Sequence, residues 1–167
     1  VSAASVRTIR LDESAALRAL RLRALAEAPA AFASTLAAES ALDDDHWRRL
    51  VQEAVAGDEG SIAIAIDDER WVGMAGGYWF ERDPGIAQLW GLWVEPAARG
   101  RRIGAALVGA IVDWAVSGGA TYVRLGIIEP ADDVRRFYAR LGFVALDDPA
   151  PMRTDPIRSA AFMVRRV

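Results

Sequence analysis

The sequence predicts one mixed α/β domain built on a mostly antiparallel central sheet of about seven strands flanked by helices, and three observations point there. Apolar residues alternate at the strand period in some stretches and recur at the helical period in others. The segment from Ile86 to Ile128 reads strand–helix–strand, a crossover that sets two strands parallel in an otherwise largely antiparallel order. Finally, the 167 residues show no internal repeat, linker or compositional break, and that length suits one core rather than two. A single domain over 1–167 is expected.

Each element has a local reason. Ser5–Leu11 alternates and reads as a first strand. Glu13–Ala28 is rich in Ala, Leu and Arg, with Leu17, Leu20, Arg21 and Leu25 near the helical period, and it stops before Pro29. Pro29–Ala41 reads as a loop with some helical turns. Asp43–Asp45 cap a second helix to about Ala56, with Trp47, Leu50, Val51 and Ala54 on one face, and Gly57–Gly60 breaks it. Strands follow at Ser61–Asp67, Arg70–Glu81 and Ile86–Val94, joined by turns at Asp67–Arg70 and Asp83–Gly85. Arg99–Gly104 opens a helix to about Val116, marked by Ile103, Leu107, Ile111 and Trp114 and closed by Gly118-Gly119. Thr121–Ile128 reads as a buried strand, Asp132–Leu141 as a short helix, and Gly142-Phe143 as the turn into another strand. The Pro-containing loop Asp147–Ile157 precedes a last strand at Ser159–Arg166.

Composition narrows the chemistry. With 53% hydrophobic and 26% charged residues the chain reads as globular rather than disordered. No apolar run approaches the roughly 20 residues of a membrane span, and VSAASVRTIR lacks the apolar core of a signal peptide. A cytoplasmic protein is the expectation. Zero Cys excludes disulfides and thiolate chemistry, and a single His, His46, excludes a His-rich metal cluster. A net charge of −3 argues against general nucleic-acid binding. All 20 basic residues are Arg, and Lys and Asn are both missing, as a GC-rich genome would produce. No lysine is therefore present for Schiff-base chemistry or self-acetylation.

The most informative run is Gln88–Gly104, QLWGLWVEPAARGRRIG. An apolar strand ends at Pro96, and a short loop delivers Arg99, Gly100, Arg101, Arg102, Ile103 and Gly104 into the first turn of a long helix. A helix N-terminus offers unpaired backbone N–H groups and the positive end of the helix dipole. Gly100, Gly104 and Ala105 let an anion approach that backbone, and three arginines add phosphate donors. The physical reading is a diphosphate site. The glycines, four apart, do not make a dinucleotide fingerprint, and G-K-[ST] is missing. The plainer alternative is an ordinary helix start with solvated arginines.

LWVEPAARGRRIGAALV resembles motif A of the GCN5-related N-acetyltransferases, [QR]-x-x-G-x-[GA] after a strand ending V-x-P. Arg99 matches the first position and Gly104 the last, while Arg102 stands where the pattern has Gly. Such a side chain must point away from a pyrophosphate or cap it as an extra cation. Ala131–Phe143 resembles motif B, N-x-x-A-x-x-[LF]-Y-x-x-x-G-F: Phe137-Tyr138 and Gly142-Phe143 agree, whereas Ala131 replaces the Asn and Val134 the small residue. RLRALAEAPAAF (Arg21–Phe32) is similar to the first helix and loop of many bacterial members.

The resemblance implies a bulged strand splayed from its parallel neighbour, with the pantetheine of acetyl-CoA in the gap. It places the backbone of Leu92, Trp93 and Val94 on pantetheine and that of Arg99–Ala105 on pyrophosphate, and puts the contacts of Ala131 in doubt. Gly76-Gly77 would lie opposite the bulge, where strand glycines often mark close approach. The implied activity is transfer of an acetyl group from acetyl-CoA to a primary amine by direct attack, without a metal. The backbone N–H of Val94 is the implied oxyanion donor. Tyr138 is the implied general acid, since a phenol near pKa 10 lies roughly two units above a coenzyme A thiol; the alternative is a core aromatic beside Phe137.

The base is less clear in the sequence. Relatives place a Glu near the positions of Leu89 or Gly126, and both acids are missing here. Glu81 sits near a hairpin tip, too far from the bulge, and Glu95 faces solvent. Glu129 is the nearby carboxylate, and a water chain ending on backbone carbonyls is the other route. Asp43–His46 is read as helix capping rather than a metal site. Phe32, Trp79 and Trp90 are candidate acceptor walls, as is the Asp147–Ile157 loop; the tryptophans serve equally as strand packing. The expected partner is a small-molecule or peptide amine, and a homodimer is possible by family analogy. Two rival readings are a catalytically silent acyl-CoA sensor and a nucleotide-binding regulatory domain.

Overall fold

The computed structural model describes residues 4–80, 85–146, 150–151 and 159–167. Strand β1 (Ser5–Thr8) leads into helix α1 (Ser14–Glu27), a 3-10 turn at Pro29–Ala31, α2 (Leu36–Ser40) and α3 (Asp44–Ala56). Strands β2 (Gly60–Asp67), β3 (Arg70–Trp79) and β4 (Ile86–Val94) follow. A 3-10 turn at Pro96–Ala98 then precedes α4 (Ile103–Ser117). The chain closes with β5 (Tyr122–Ile128), α5 (Asp132–Arg140), β6 (Val144–Ala145), β7 (Ala150–Pro151) and β8 (Ser159–Arg166).

The sheet runs β1-β2-β3-β4-β5-β8-β6, with β7 paired to β8 off this path. Only the β4–β5 pairing is parallel among the described strands, as the crossover through α4 requires. The last strand threads between β5 and β6, which periodicity could not have ordered. Most of the Asp147–Ile157 loop and Glu81–Pro84 lie outside the described residues; Ala150–Pro151, expected as loop, pairs as β7.

Local chemistry sets the boundaries. The first strand ends at Thr8 rather than Leu11, because the Glu13 carboxylate accepts from the Arg10 N–H at 2.8 Å and from Arg7 at 2.5 and 2.9 Å, turning the chain into α1. Asp43 caps α3 by accepting from the His46 N–H at 2.8 Å, and Gly57, at φ +82°, ends it. Asp43 and His46 thus serve capping, as expected. Thr35 likewise caps α2, a helical turn with no apolar stripe to betray it.

Two cores lie on opposite faces of the sheet. Helices α1 and α3 cover one face, where Leu17, Leu20, Leu25 and Val51 meet Ile62, Ile64, Met74 and Trp93. Helix α4 and Tyr138 of α5 cover the other, where Leu107, Val108 and Ile111 meet Ala63, Ala75, Leu89, Val123 and Leu125. Each fully buried aliphatic side chain contributes about 1.5–3 kcal/mol, so both faces are firmly held. No helix among the described residues is long and apolar enough to cross a membrane.

Candidate functional site

β4 and β5 pair from Ile86↔Tyr122 to Leu89↔Leu125 and no further. Beyond that point Trp90–Val94 and Gly126–Ile128 separate, opening a wedge in the middle of the sheet. The cause lies in β4. Between Gly76↔Trp90 and Met74↔Trp93 this strand spends one residue more than β3, and Gly91 takes up the bulge at φ +65°. Glu95 donates its N–H to Val72 O of β3 at 2.7 Å. Strand alternation then turns the N–H and C=O of Val94 the other way, into the wedge.

The wedge points to the start of α4. Here the structure sharpens the sequence boundary: the helix begins at Ile103, not at Arg99, after the 3-10 turn and a left-handed stretch. Gly100 stands at φ +79° with open space where a Cβ would be. Arg102 stands at φ +62° as the N-cap, its side chain exposed and without a partner among the described residues. This explains why the motif favours Gly there: a left-handed non-glycine residue costs about 1–2 kcal/mol. The first helical N–H to find a carbonyl is that of Ala106, on Arg102 O at 3.1 Å. Ahead of it the N–H groups of Ile103, Gly104 and Ala105 have no helical partner and no side-chain cap. That is a preformed anion cradle of backbone donors.

Two arginines of the loop, Arg99 and Arg101, are occupied. Arg99 donates from Nε to Val94 O at 2.9 Å and from its guanidinium to Glu27 Oε2 at 2.8 Å. The same Glu27 oxygen accepts from the Trp93 indole at 2.9 Å, and these donors, Trp93 foremost, hold its carboxyl below the usual range. One carboxylate thus ties the end of α1 to β4 and the loop. Arg101 donates two hydrogen bonds to the oxygens of Asp67 at 2.5 and 3.0 Å, holding that carboxyl low and anchoring the loop to β2.

Helix α5 roofs the cradle. A Cβ on Gly104 would lie 3.3 Å from Phe137 Cζ and 3.8 Å from Val94 Cγ2, so Gly104 lets α5 seat against α4 and β4. Tyr138, 5% exposed, packs edge-on to Phe137 and Phe143 at ring distances of 5.1 and 5.6 Å. Burial pushes its phenol far above the ordinary value, and its hydroxyl bonds no described residue. Ala131 caps α5 through its backbone alone. Glu129 is committed elsewhere: its Oε1 accepts from Arg135 at 2.8 and 2.5 Å.

The aromatic candidates part company. Phe32 and Trp90 converge on Arg21, whose guanidinium carbon lies 4.6 and 5.7 Å from their ring centres. Trp79 lies on the opposite face, 5.1 Å from Trp114, with its indole on Asp58 O at 2.8 Å. The structure does not bring it to the other two. The glycine pair is also explained differently from the expectation of ligand approach. A Cβ on Gly76 would meet Trp90 at 2.2 Å, and one on Gly77 would meet Ile111 and Trp114 at 2.8 Å; Ala75, not Gly76, faces the bulge.

Sequence reasoning missed the pair at the centre of this aromatic group. Arg21, 7% exposed, donates from Nε and a terminal nitrogen to the two oxygens of Glu39 at 2.9 and 2.7 Å. The available signal was an arginine on the apolar stripe of α1, between Leu17 and Leu25. A cavity of about 270 Å³ opens beside the pair, walled by Leu17, His46, Trp47, Met74 and Trp90. No group of three or more metal-ligating side chains occurs among the described residues.

A family model described as "Acetyltransferase (GNAT) family" matches residues 22–143. Among solved structures, a GNAT-family acetyltransferase from Streptococcus pneumoniae superposes with a TM-score of 0.82 at 15% identity, over 98% of this chain and 99% of that one. The PaiA N-acetyltransferase of Thermoplasma acidophilum, in complex with coenzyme A, gives 0.79 at 14% identity over 99% and 100%. The Salmonella typhimurium protein yncA, with its cofactor acetyl-CoA, gives 0.79 at 18% over 99% and 94%. Nothing among curated proteins matches the chain.

Proposed function

Since the chain belongs to the GNAT acetyltransferase family, we propose that it transfers an acetyl group from acetyl-CoA to a primary amine by direct attack in a ternary complex. The observation that carries this reading is the wedge between β4 and β5, aimed at three unpartnered N–H groups on α4. The residues fit the cosubstrate. Ile103, Gly104 and Ala105 would hold the pyrophosphate through their backbone, with Gly100 leaving room for it. Leu92 and Val94 would pair with the pantetheine as an added strand, whereas the Trp93 backbone, expected to join them, faces Met74 of β3 by the same alternation. Acetyl-CoA supplies the activated thioester.

The chemistry follows from the strand's orientation. The amine nitrogen attacks the thioester carbon, and the developing oxyanion meets the Val94 N–H inside the wedge. As the C–S bond breaks, charge reaches sulfur. Tyr138 is the group for that end, and its raised pKa makes it a hydrogen-bond donor to the thiolate rather than a full proton source. The amine's proton leaves by water and backbone carbonyls, because Glu129 is spent on Arg135. Engagement of Glu129 and the alanine at 131 also support the silent acyl-CoA sensor as a second reading.

An acetyl-CoA turnover screen over small amines, amino acids, polyamines and peptide amines separates the two. Release of coenzyme A that depends on amine supports transfer. Thermal stabilisation by coenzyme A, about 2.7 kcal/mol at 100 times its Kd, with no turnover supports the sensor. No stabilisation at millimolar coenzyme A removes both.

A further inference from the structure

The acceptor side of the molecule carries a feature that acyl transfer does not by itself explain. Two of the three nitrogens of the Arg21 guanidinium are used on Glu39. The third, Nη1, is shut off from water and has no partner. It lies 3.4 Å from where a Cβ on Gly91 would stand, and so rests on the bulge that opens the wedge. Trp47, 3% exposed, lines the same cavity, and its indole N–H is likewise buried without a partner. Both N–H groups therefore lie sealed behind the cavity wall rather than on its open surface, two unmet donors beside the space. Among the described residues the cavity's one carboxylate, Glu39, is already engaged by Arg21.

We propose that Arg21 reads a carbonyl oxygen on the acceptor, so that the acceptor is an amine bearing a carbonyl group on the adjacent carbon, with an aliphatic side chain in the cavity. The inference rests on the acyl-transfer reading above. Its physical basis is donor excess. A buried N–H without a partner is costly, and a ligand oxygen satisfies it where an alkyl group cannot. To reach Nη1 the oxygen has to move the side chains that seal it, and a plain alkylamine forms no bond that offsets this. Size agrees: about 270 Å³ lies just under the roughly 300–1,000 Å³ of sites for drug-sized ligands, which suits one small residue. Most of the remaining wall is apolar, with Leu17, Met74 and Trp90, while Ser34 and His46 add polar groups. Charge refines the choice. Glu39 neutralises Arg21, so a neutral amide oxygen suits the site better than a carboxylate.

Three probes that share one side chain test this: leucinamide, leucine and 3-methylbutylamine, which lacks the carbonyl. Binding to the coenzyme A-saturated protein is measured by calorimetry, and acetyl transfer by kcat/KM. The expected result is a preference for leucinamide over 3-methylbutylamine of about 10- to 100-fold, with leucine between them. Leucine binding more tightly than leucinamide keeps the carbonyl contact and assigns it to the carboxylate. In the double variant Arg21→Met/Glu39→Leu, which leaves no unpaired buried charge, the preference should fall to within about threefold. Thermal melting and coenzyme A binding verify that variant's fold; if it fails to fold, Arg21→Lys carries the same expectation. Equal binding of the amide and the plain amine, binding of neither at millimolar concentration, or a preference that survives in the variant overturns the proposal. If the preference appears in binding while no amine is acetylated, the contact stands and the transfer reading falls.

Discussion

The two faces of the sheet are built by different means. On the α4 side, the cradle is backbone: left-handed Gly100 and Arg102, three unpartnered N–H groups and a bulge in the facing strand. On the α1–α3 side, the cavity is side chains: a buried Arg21–Glu39 pair, Trp90 and Trp47, drawn from helices and strands up to 69 residues apart in number (Arg21 to Trp90). A cosubstrate that never changes can be bound by geometry that short sequence runs encode. The acceptor of the proposed reaction would instead be recognised by side chains brought together from several elements. The wedge at Gly91 is where the two halves meet.

The largest expected effect tests the role proposed for the Tyr138 side chain on the α4 side. Tyr138→Phe keeps the ring between Phe137 and Phe143, so stability and coenzyme A affinity should change little, while loss of a donor to developing charge lowers kcat about 100-fold. Because burial raises this phenol, no alkaline limb from its ionisation should appear up to about pH 10. The native state keeps its proton where the unfolded chain has lost it, so this group lowers stability only as pH rises past its unfolded value near 10. A kcat within about threefold of wild type assigns Tyr138 to packing alone.

Next in size is a pair that contrasts the faces. Gly76→Ala drives a methyl into the Trp90 ring and should cost about 1–3 kcal/mol, with loss of acceptor binding and retention of coenzyme A binding. Gly100→Ala meets open space but must hold a left-handed backbone, costing about 1–2 kcal/mol, and should weaken coenzyme A instead. Denaturant melts with two ligand titrations measure both. Opposite ligand effects would erase the division drawn between the faces.

Smaller and opposite in sign is Arg102→Gly. Relief of the left-handed strain should raise stability by about 1 kcal/mol, with coenzyme A affinity within about threefold. A tenfold loss of affinity would mean that this exposed guanidinium holds phosphate. Arg101→Ala should raise the KM for acetyl-CoA with less change in kcat, because it frees the loop from Asp67.

The smallest effect concerns acid. Glu27 is held low by Trp93 and Arg99, so its contribution is present above its ordinary range near 4.3 and is lost as pH falls through the lowered folded value. Glu27→Gln should flatten that acid limb in pH-dependent melts and loosen the α4 loop. An unchanged limb would show that the clamp is not what steadies the cradle.

How much of this could be read in advance follows from the same division. Gly104, Arg99 and Tyr138 stood in runs with fixed spacing, and the helix and strand around them followed from periodicity. The reason that position 102 prefers glycine was not visible until its φ was known. Arg21 was placed on an apolar stripe, but nothing local told that Glu39, eighteen residues on, would meet it. Trp79 and Trp90 looked alike in sequence, and strand alternation sent them to opposite faces: Trp79 pairs with Ala87, and Trp90 lies three residues beyond it.

The sequence alone determined the class of fold, the parallel crossover and the glycine-rich helix start, because these depend on interactions between near neighbours: periodicity, turn residues and unpaired helix donors. Only the tertiary structure decided where β4 leaves β5, which glycines make room for tryptophan rather than ligand, and which carboxylates remain uncommitted. Those outcomes depend on packing and ion pairs between distant segments, where a single bulged residue changes what every later side chain faces.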